Sequence, residues 1–145
     1  MGRLISIVVL TVVASLAAAA CDENPSTTGP STTGSLFGSE WVLVELGGQP
    51  IGGAAMNTSP TLVLDADATR AAGFAGCNRF TTSYTLGAAE LRFGNIAATR
   101  MFCADTMTLE DRYLAALGGT RSFRVTGGRL DLLGDTGVTA RFERR

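Results

Sequence analysis

Histidine and lysine are both missing from the 145 residues, and all 12 basic side chains are arginine. Without histidine the chain lacks the commonest general base and the commonest metal ligand. Without lysine it can form no Schiff base and offers no lysine to a nucleotide phosphate. The hydroxyl run Thr81-Thr82-Ser83 therefore has no His or Lys to activate it, and nucleophilic catalysis is not expected. A one-signed charge is absent too: 12 basic side chains face 13 acidic ones, for a net −1. Such a balance supplies no clustered basic surface, so no nucleic-acid partner is expected. Aromatic residues make up only 7%, with a single Trp. A chain of this size corresponds to one domain. No enzyme activity, metal or cofactor is implied.

The chain does contain one long apolar run, at its amino end. Met1–Ala20 has the layout of a secretory leader: Arg3, then the apolar stretch Leu4–Leu16, then the small residues Ala17–Ala20. The stretch is short for a membrane span. Leu16-Ala17-Ala18-Ala19-Ala20-Cys21 resembles a bacterial lipobox, which implies cleavage before Cys21 and lipidation of that cysteine. The alternative is an ordinary A-x-A cleavage at Ala18-Ala19-Ala20, which would release a soluble periplasmic protein. Two or three acyl chains hold a protein stably on a bilayer where one does not. The expected location is thus the periplasm or cell envelope, anchored to a bacterial membrane through lipid, with inner or outer membrane left open. Residues 21–38 comprise the cysteine and a Ser/Thr/Gly/Pro tether, whose stretch Asp22–Gly38 has a typical reach of roughly 20–25 Å.

From Ser39 to Arg145 the dominant pattern is alternation. Trp41, Leu43 and Glu45 oppose Val42, Val44 and Leu46, and Leu62, Leu64 and Ala66 oppose Val63, Asp65 and Asp67. Phe80, Thr82, Tyr84 and Leu86 form a third stripe. Phe123 and Val125, Leu130 and Leu132, and Val138, Ala140 and Phe142 complete the set. Gly127-Gly128 and Gly134-Asp135-Thr136-Gly137 mark tight reversals, so the last three strands read as an antiparallel meander. One segment, Asp105–Leu117, has helical spacing, with Asp105 or Thr106 as its cap and Gly118-Gly119 as its stop. Met107, Glu110, Leu114 and Leu117 share a side that Leu109, Tyr113 and Ala116 widen. The expected class is α+β, mainly β: a small antiparallel curved sheet or partly open barrel with one helix.

Two cysteines lie inside this domain, Cys77 in GFAGCNRF and Cys103 in TRMFCAD. In an oxidising compartment an even pair points to a disulfide. Free core thiols are the alternative. There is no C-x-x-C redox spacing, and only Asp105 lies near enough in sequence to join a metal site. The runs GFAGCNRFTTSY, LRFGNIAATRMFCADTMTLEDRYLAAL and SFRVTGGRLDLL together resemble the META domain of bacterial HslJ-like lipoproteins. Gly76-Cys77-Asn78 and Thr99-Arg100-Met101-x-Cys103 form the specific core of that resemblance, which extends over Ser39–Glu143. It implies a conical, partly opened barrel with a helix, and a link to stress response and secretion. It carries no catalytic residue.

Asn78, Arg79, Arg100 and Asp105 are the polar members of the signature. One reading makes them a surface for a carboxylate or phosphate, to which an arginine fork is suited. The favoured structural reading has Asn78 tying down a turn while the arginines pair with Asp105 or with carbonyls. Glu110 and Asp111 point apart on a helix and are expected on a solvated face. Trp41, Phe74, Phe93, Phe102, Phe123 and Phe142 are expected in the core, or around a pocket for an acyl chain or peptide. The functional expectation is a non-enzymatic, envelope-anchored accessory domain that binds a lipid, peptide or envelope protein. A purely structural or interaction module is the rival.

Overall fold

A computed structural model describes residues 36–52 and 59–145. Cys21, the leader and most of the tether lie outside the described residues. The strands are β1 (Trp41–Leu46), β2 (Gln49–Pro50), β3 (Thr61–Asp65), β4 (Arg70–Phe74), β5 (Arg79–Leu86), β6 (Leu91–Phe93) and β7 (Ala97–Ala98). After the helix α1 (Met107–Gly118) come β8 (Ser122–Thr126), β9 (Arg129–Gly134) and β10 (Gly137–Arg144). They pair antiparallel in the order β6-β5-β4-β3-β1-β10-β9-β8, with β2 on β1 and β7 on β5. The two ends of this order meet at a Glu90↔Ser122 bridge. There Leu91 N donates to Arg121 O at 3.2 Å and Phe123 N donates to Ala89 O at 3.0 Å. The sheet is therefore an almost closed barrel with a short, incompletely sealed seam. Both the mainly-β class and the single helix match the reading of the sequence.

The alternating stripes become the barrel interior. Phe80, Thr82 and Tyr84 are buried, as are Phe123, Val125, Leu130, Leu132, Ala140 and Phe142. Period two fails in β1, where Trp41, Leu43 and Leu46 face inward instead of Trp41, Leu43 and Glu45. A bulge explains it, because the register with β10 slips between Leu43 and Glu45, leaving Val44 unpaired. A second slip lies between Val138 and Ala140. Such bulges bend strands and help a sheet of this length curl toward closure. Glu45 thereby turns to the outer face, where Arg141 donates to it at 2.7 Å and to the nearly buried Asp131 at 2.9 Å. Asp131 also accepts from Arg124 at 2.7 Å.

One strand, β4, is built from Arg70-Ala71-Ala72-Gly73-Phe74 and carries no β-branched residue. Its small side chains permit a close approach: a Cβ on Gly73 would overlap the Thr61 carbonyl of β3. Leu36, at the end of the tether by composition, is fully buried, and its carbonyl accepts from Trp41 Nε1 at 2.9 Å. Phe37 stacks near Tyr84, ring centroids 6.5 Å apart. The packed unit thus begins ahead of Ser39.

Helix α1 packs on the barrel through Glu110, Tyr113 and Leu117, its buried positions. Tyr113 touches Phe80 edge-on at 5.8 Å and Phe142 at 6.0 Å, and its hydroxyl donates to Thr61 O at 3.1 Å. The helix starts at Thr106 without a side-chain cap. Instead Thr106 N and Met107 N both donate to Cys103 O at 3.1 Å, and Thr106 Oγ1 is buried without a partner among the described residues.

Candidate functional site

The signature residues converge where the β4–β5 turn, the loop after β7 and the first turns of α1 meet. In the turn, Ala75 N donates to Asn78 O at 2.8 Å. Gly76 has φ +113, a left-handed backbone that a residue with a Cβ adopts only under strain. Cys77 and Cys103 are joined in a disulfide with Cα atoms 5.8 Å apart, so the turn is bonded to the loop leading into α1.

Asn78 fastens the same two segments a second time. It is 1% exposed. Its Oδ1 accepts from Met101 N at 2.7 Å and from Thr99 Oγ1 at 2.8 Å. Its Nδ2 donates to Met101 O at 3.0 Å and to Glu110 Oε1 at 2.7 Å. An amide has two donors and two acceptor positions, and all four are used here. The turn itself is closed by the Asn78 carbonyl, and the Asn78 side chain ties it to a loop and a helix instead of to its own backbone.

Glu110 does not lie on a solvated face. It is 4% exposed and sits under the turn, accepting from Asn78 N at 2.7 Å and Cys77 N at 3.3 Å in addition to Asn78 Nδ2. The reason is the helical stripe itself: Glu110 shares a side with Met107, Leu114 and Leu117. A carboxylate there is tolerable only because the turn presents backbone donors. That shared spacing was the one available signal for burial. Asp111, one position on, is exposed as expected.

The arginines behave differently from the structural expectation. Arg79 and Arg100 are exposed, and neither guanidinium pairs with Asp105 or with a carbonyl among the described residues. Asp105 is exposed as well. The backbone of Arg79 adjoins the loop, with its N–H donating to Thr99 Oγ1 at 3.3 Å and its carbonyl accepting from Thr99 N at 3.0 Å. Beside this junction lies an open groove of about 340 Å³ lined by Arg79, Phe80, Thr81, Ala97, Ala98 and Thr99.

The aromatic expectation holds for Trp41, Phe123 and Phe142, which are buried, while Phe74 and Phe93 are half-buried. It fails for Phe102. That ring is 82% exposed, and its neighbour Met101 is 60% exposed. The loop is held by Asn78 at Met101 and by the disulfide at Cys103, so Phe102 has fixed points on both sides. Among the described residues no group of three His, Cys, Asp or Glu side chains could hold a metal ion.

The brace unites both halves of the signature, Gly76-Cys77-Asn78 and Thr99–Cys103. The META domain family model matches residues 34–145. This chain belongs to the META domain family. Its META domain is similar to a protein from Burkholderia xenovorans solved by NMR, with TM-score 0.65 and 29% identity over 94% of this chain and 99% of that one. A second NMR structure shares the fold at TM-score 0.60 and 22% identity, over 76% of this chain and 92% of that one. Among curated proteins none matches. No catalytic family is indicated by these likenesses.

Proposed function

We propose that this META domain is an exported accessory domain, held at the bacterial envelope by lipid on Cys21. It would work without catalysis, by binding a lipid, peptide or envelope protein during stress or secretion. One observation carries the reading: Asn78, the buried member of the polar signature, is spent inside the protein together with Glu110, while Arg79, Arg100 and Asp105 stay on the surface. Asn78 and Glu110 brace the loop that displays Met101 and Phe102, and they present no reactive group to solvent. A site that invests its buried polar groups in holding an apolar pair outward suits recognition better than chemistry. The leader and the lipobox-like Leu16–Cys21 support the location, and the Ser/Thr/Gly/Pro tether suits a domain held just off a bilayer.

The rival reading is a structural module, and it draws on the filled interior. Trp41, Tyr113, Phe142 and six or more leucines occupy the volume inside the sheet. On the leading reading, binding takes place on the outer surface. Intact mass of protein purified from its native envelope, without reductant, tests the proposal. The expected product is Cys21–Arg145 with acyl groups and two hydrogens fewer. An unacylated chain with three alkylatable thiols would overturn it.

A further inference from the structure

We infer that the braced loop is a membrane-docking tip, in which Met101 and Phe102 insert into the interfacial region of an anionic bilayer while Arg79 and Arg100 meet lipid phosphates. The inference rests on the envelope reading above and names the surface that this reading leaves unspecified. It begins from the shape of the loop. A ring that is 82% exposed next to a methionine that is 60% exposed is a protrusion, and neither side chain lines the nearby groove, which is walled by Arg79, Phe80, Thr81, Ala97, Ala98 and Thr99. A fluid bilayer accepts a convex apolar tip without a complementary shape, and aromatic residues favour its interface.

Charge points the same way. Arg100 precedes Met101 directly, and Arg79 is bonded through its backbone to Thr99 on the same rim. Neither guanidinium has a carboxylate partner among the described residues, so both are available to phosphate, for which the planar fork is well matched. Asp105 lies on the helix side of Cys103 and offsets one of the two charges, which makes the tip a weak binder on its own. Rigidity compensates in part. Asn78 and the disulfide already hold the loop, so docking orders little chain.

Tethering supplies the remainder. Phe37, near the start of the described residues, lies beside Tyr84, about 17 Å along β5 from Arg79 at ~3.4 Å per residue. The stretch from 22 to 35 can extend to roughly 46–50 Å, which is ample for the tip to fold back onto the leaflet that holds Cys21. A surface already confined near the lipid meets it at a high effective concentration, where even a two-residue insertion is populated.

The test uses the envelope-purified protein carrying Phe102→Trp, reconstituted with vesicles of phosphatidylcholine alone or mixed with phosphatidylglycerol, each with brominated acyl chains. Trp41 is fully buried and gives the unsubstituted protein as background. Intact mass reports the anchor, and quenching at position 102 reports the tip. Quenching in the anionic vesicles supports the inference, and it does so even if the mass shows no acyl group, in which case only the envelope reading falls. An acylated protein without quenching overturns the inference, leaves the anchor standing and turns the tip over to a protein partner. Absence of both overturns both. Arg79→Gln with Arg100→Gln is expected to weaken tip insertion about tenfold or more in anionic vesicles, with little effect in neutral ones. Equal loss in the two vesicle types would contradict the role given to the arginines.

Discussion

Replacing Glu110 by alanine strands three donors at once: the N–H groups of Cys77 and Asn78 and the Asn78 side-chain amide. Each buried donor left without a partner costs about 1–3 kcal/mol. Water entering the vacated space returns some of this, so the expected loss is roughly 3–5 kcal/mol, set against a typical total of about 5–15. At a slope of about 2 kcal/mol per molar urea, the unfolding midpoint falls by about 1.5–2.5 M. Glu110→Gln separates hydrogen bonding from packing. Its shape is preserved, but one carboxylate oxygen becomes an NH₂ that must face either the two backbone donors or the Asn78 amide. The expected loss is therefore close to that of alanine, not close to zero. Urea unfolding of the oxidised protein, followed by Trp41 fluorescence, measures both variants. If Glu110→Gln matched the parent within about 0.5 kcal/mol, the bonds would be idle and only the side-chain stem would matter.

Three further outcomes follow from the same structure. Removing the disulfide as Cys77→Ser with Cys103→Ser opens a loop of 26 residues, worth about 3.5 kcal/mol in chain entropy. Because Asn78 still ties Met101, backbone amide exchange in the loop should rise only modestly, and wholesale exchange would show that Asn78 cannot hold it alone. Asp131 is pushed up by burial, but hydrogen bonds and charge from Arg124 and Arg141 outweigh this and hold its carboxyl below the usual range. Its contribution is hence complete above the unfolded value near ~3.9 and is lost as pH falls through the lower folded value. Asp131→Asn should flatten that acid-side decline in urea midpoint, and an unchanged profile would argue against the pairing. Gly73→Ala places a methyl against the Thr61 carbonyl, so soluble yield and melting temperature should both drop sharply. A normal melting curve would mean that β3 and β4 can move apart.

Much of the barrel was legible because its interior stripes obey period two for long enough to be recognised, as in Phe80-Thr82-Tyr84 and Leu130-Leu132. In β1 the period breaks at Val44, and nothing local announces it, since the bulge is a property of the register with β10. The strand β4 was invisible for another reason: Ala71, Ala72 and Gly73 have little strand preference and are selected by the closeness of β3. At the site, Asn78 reads locally as a turn residue, yet its side chain bonds Thr99, Met101 and Glu110, partners 21 to 32 residues away that local sequence does not reveal. Glu110 was misread because its donors come from a turn 32 and 33 residues earlier, and spacing on a helix cannot reveal them. For Phe102 the general habit of phenylalanine points to the core or to a pocket wall, which the loop's brace overrides.

The neighbours of β1 have a consequence for how the molecule comes into being. The first long strand lies between β3 and β10, with Trp41 opposite Arg144 and Arg145 N donating to Glu40 O at 2.9 Å. A polypeptide made amino end first must leave one flank of β1 bare until β10 arrives, so the barrel cannot close before its last strand is in place. Completion should be late and cooperative, and a product cut short before Gly137 would expose raw edges on both β1 and β9.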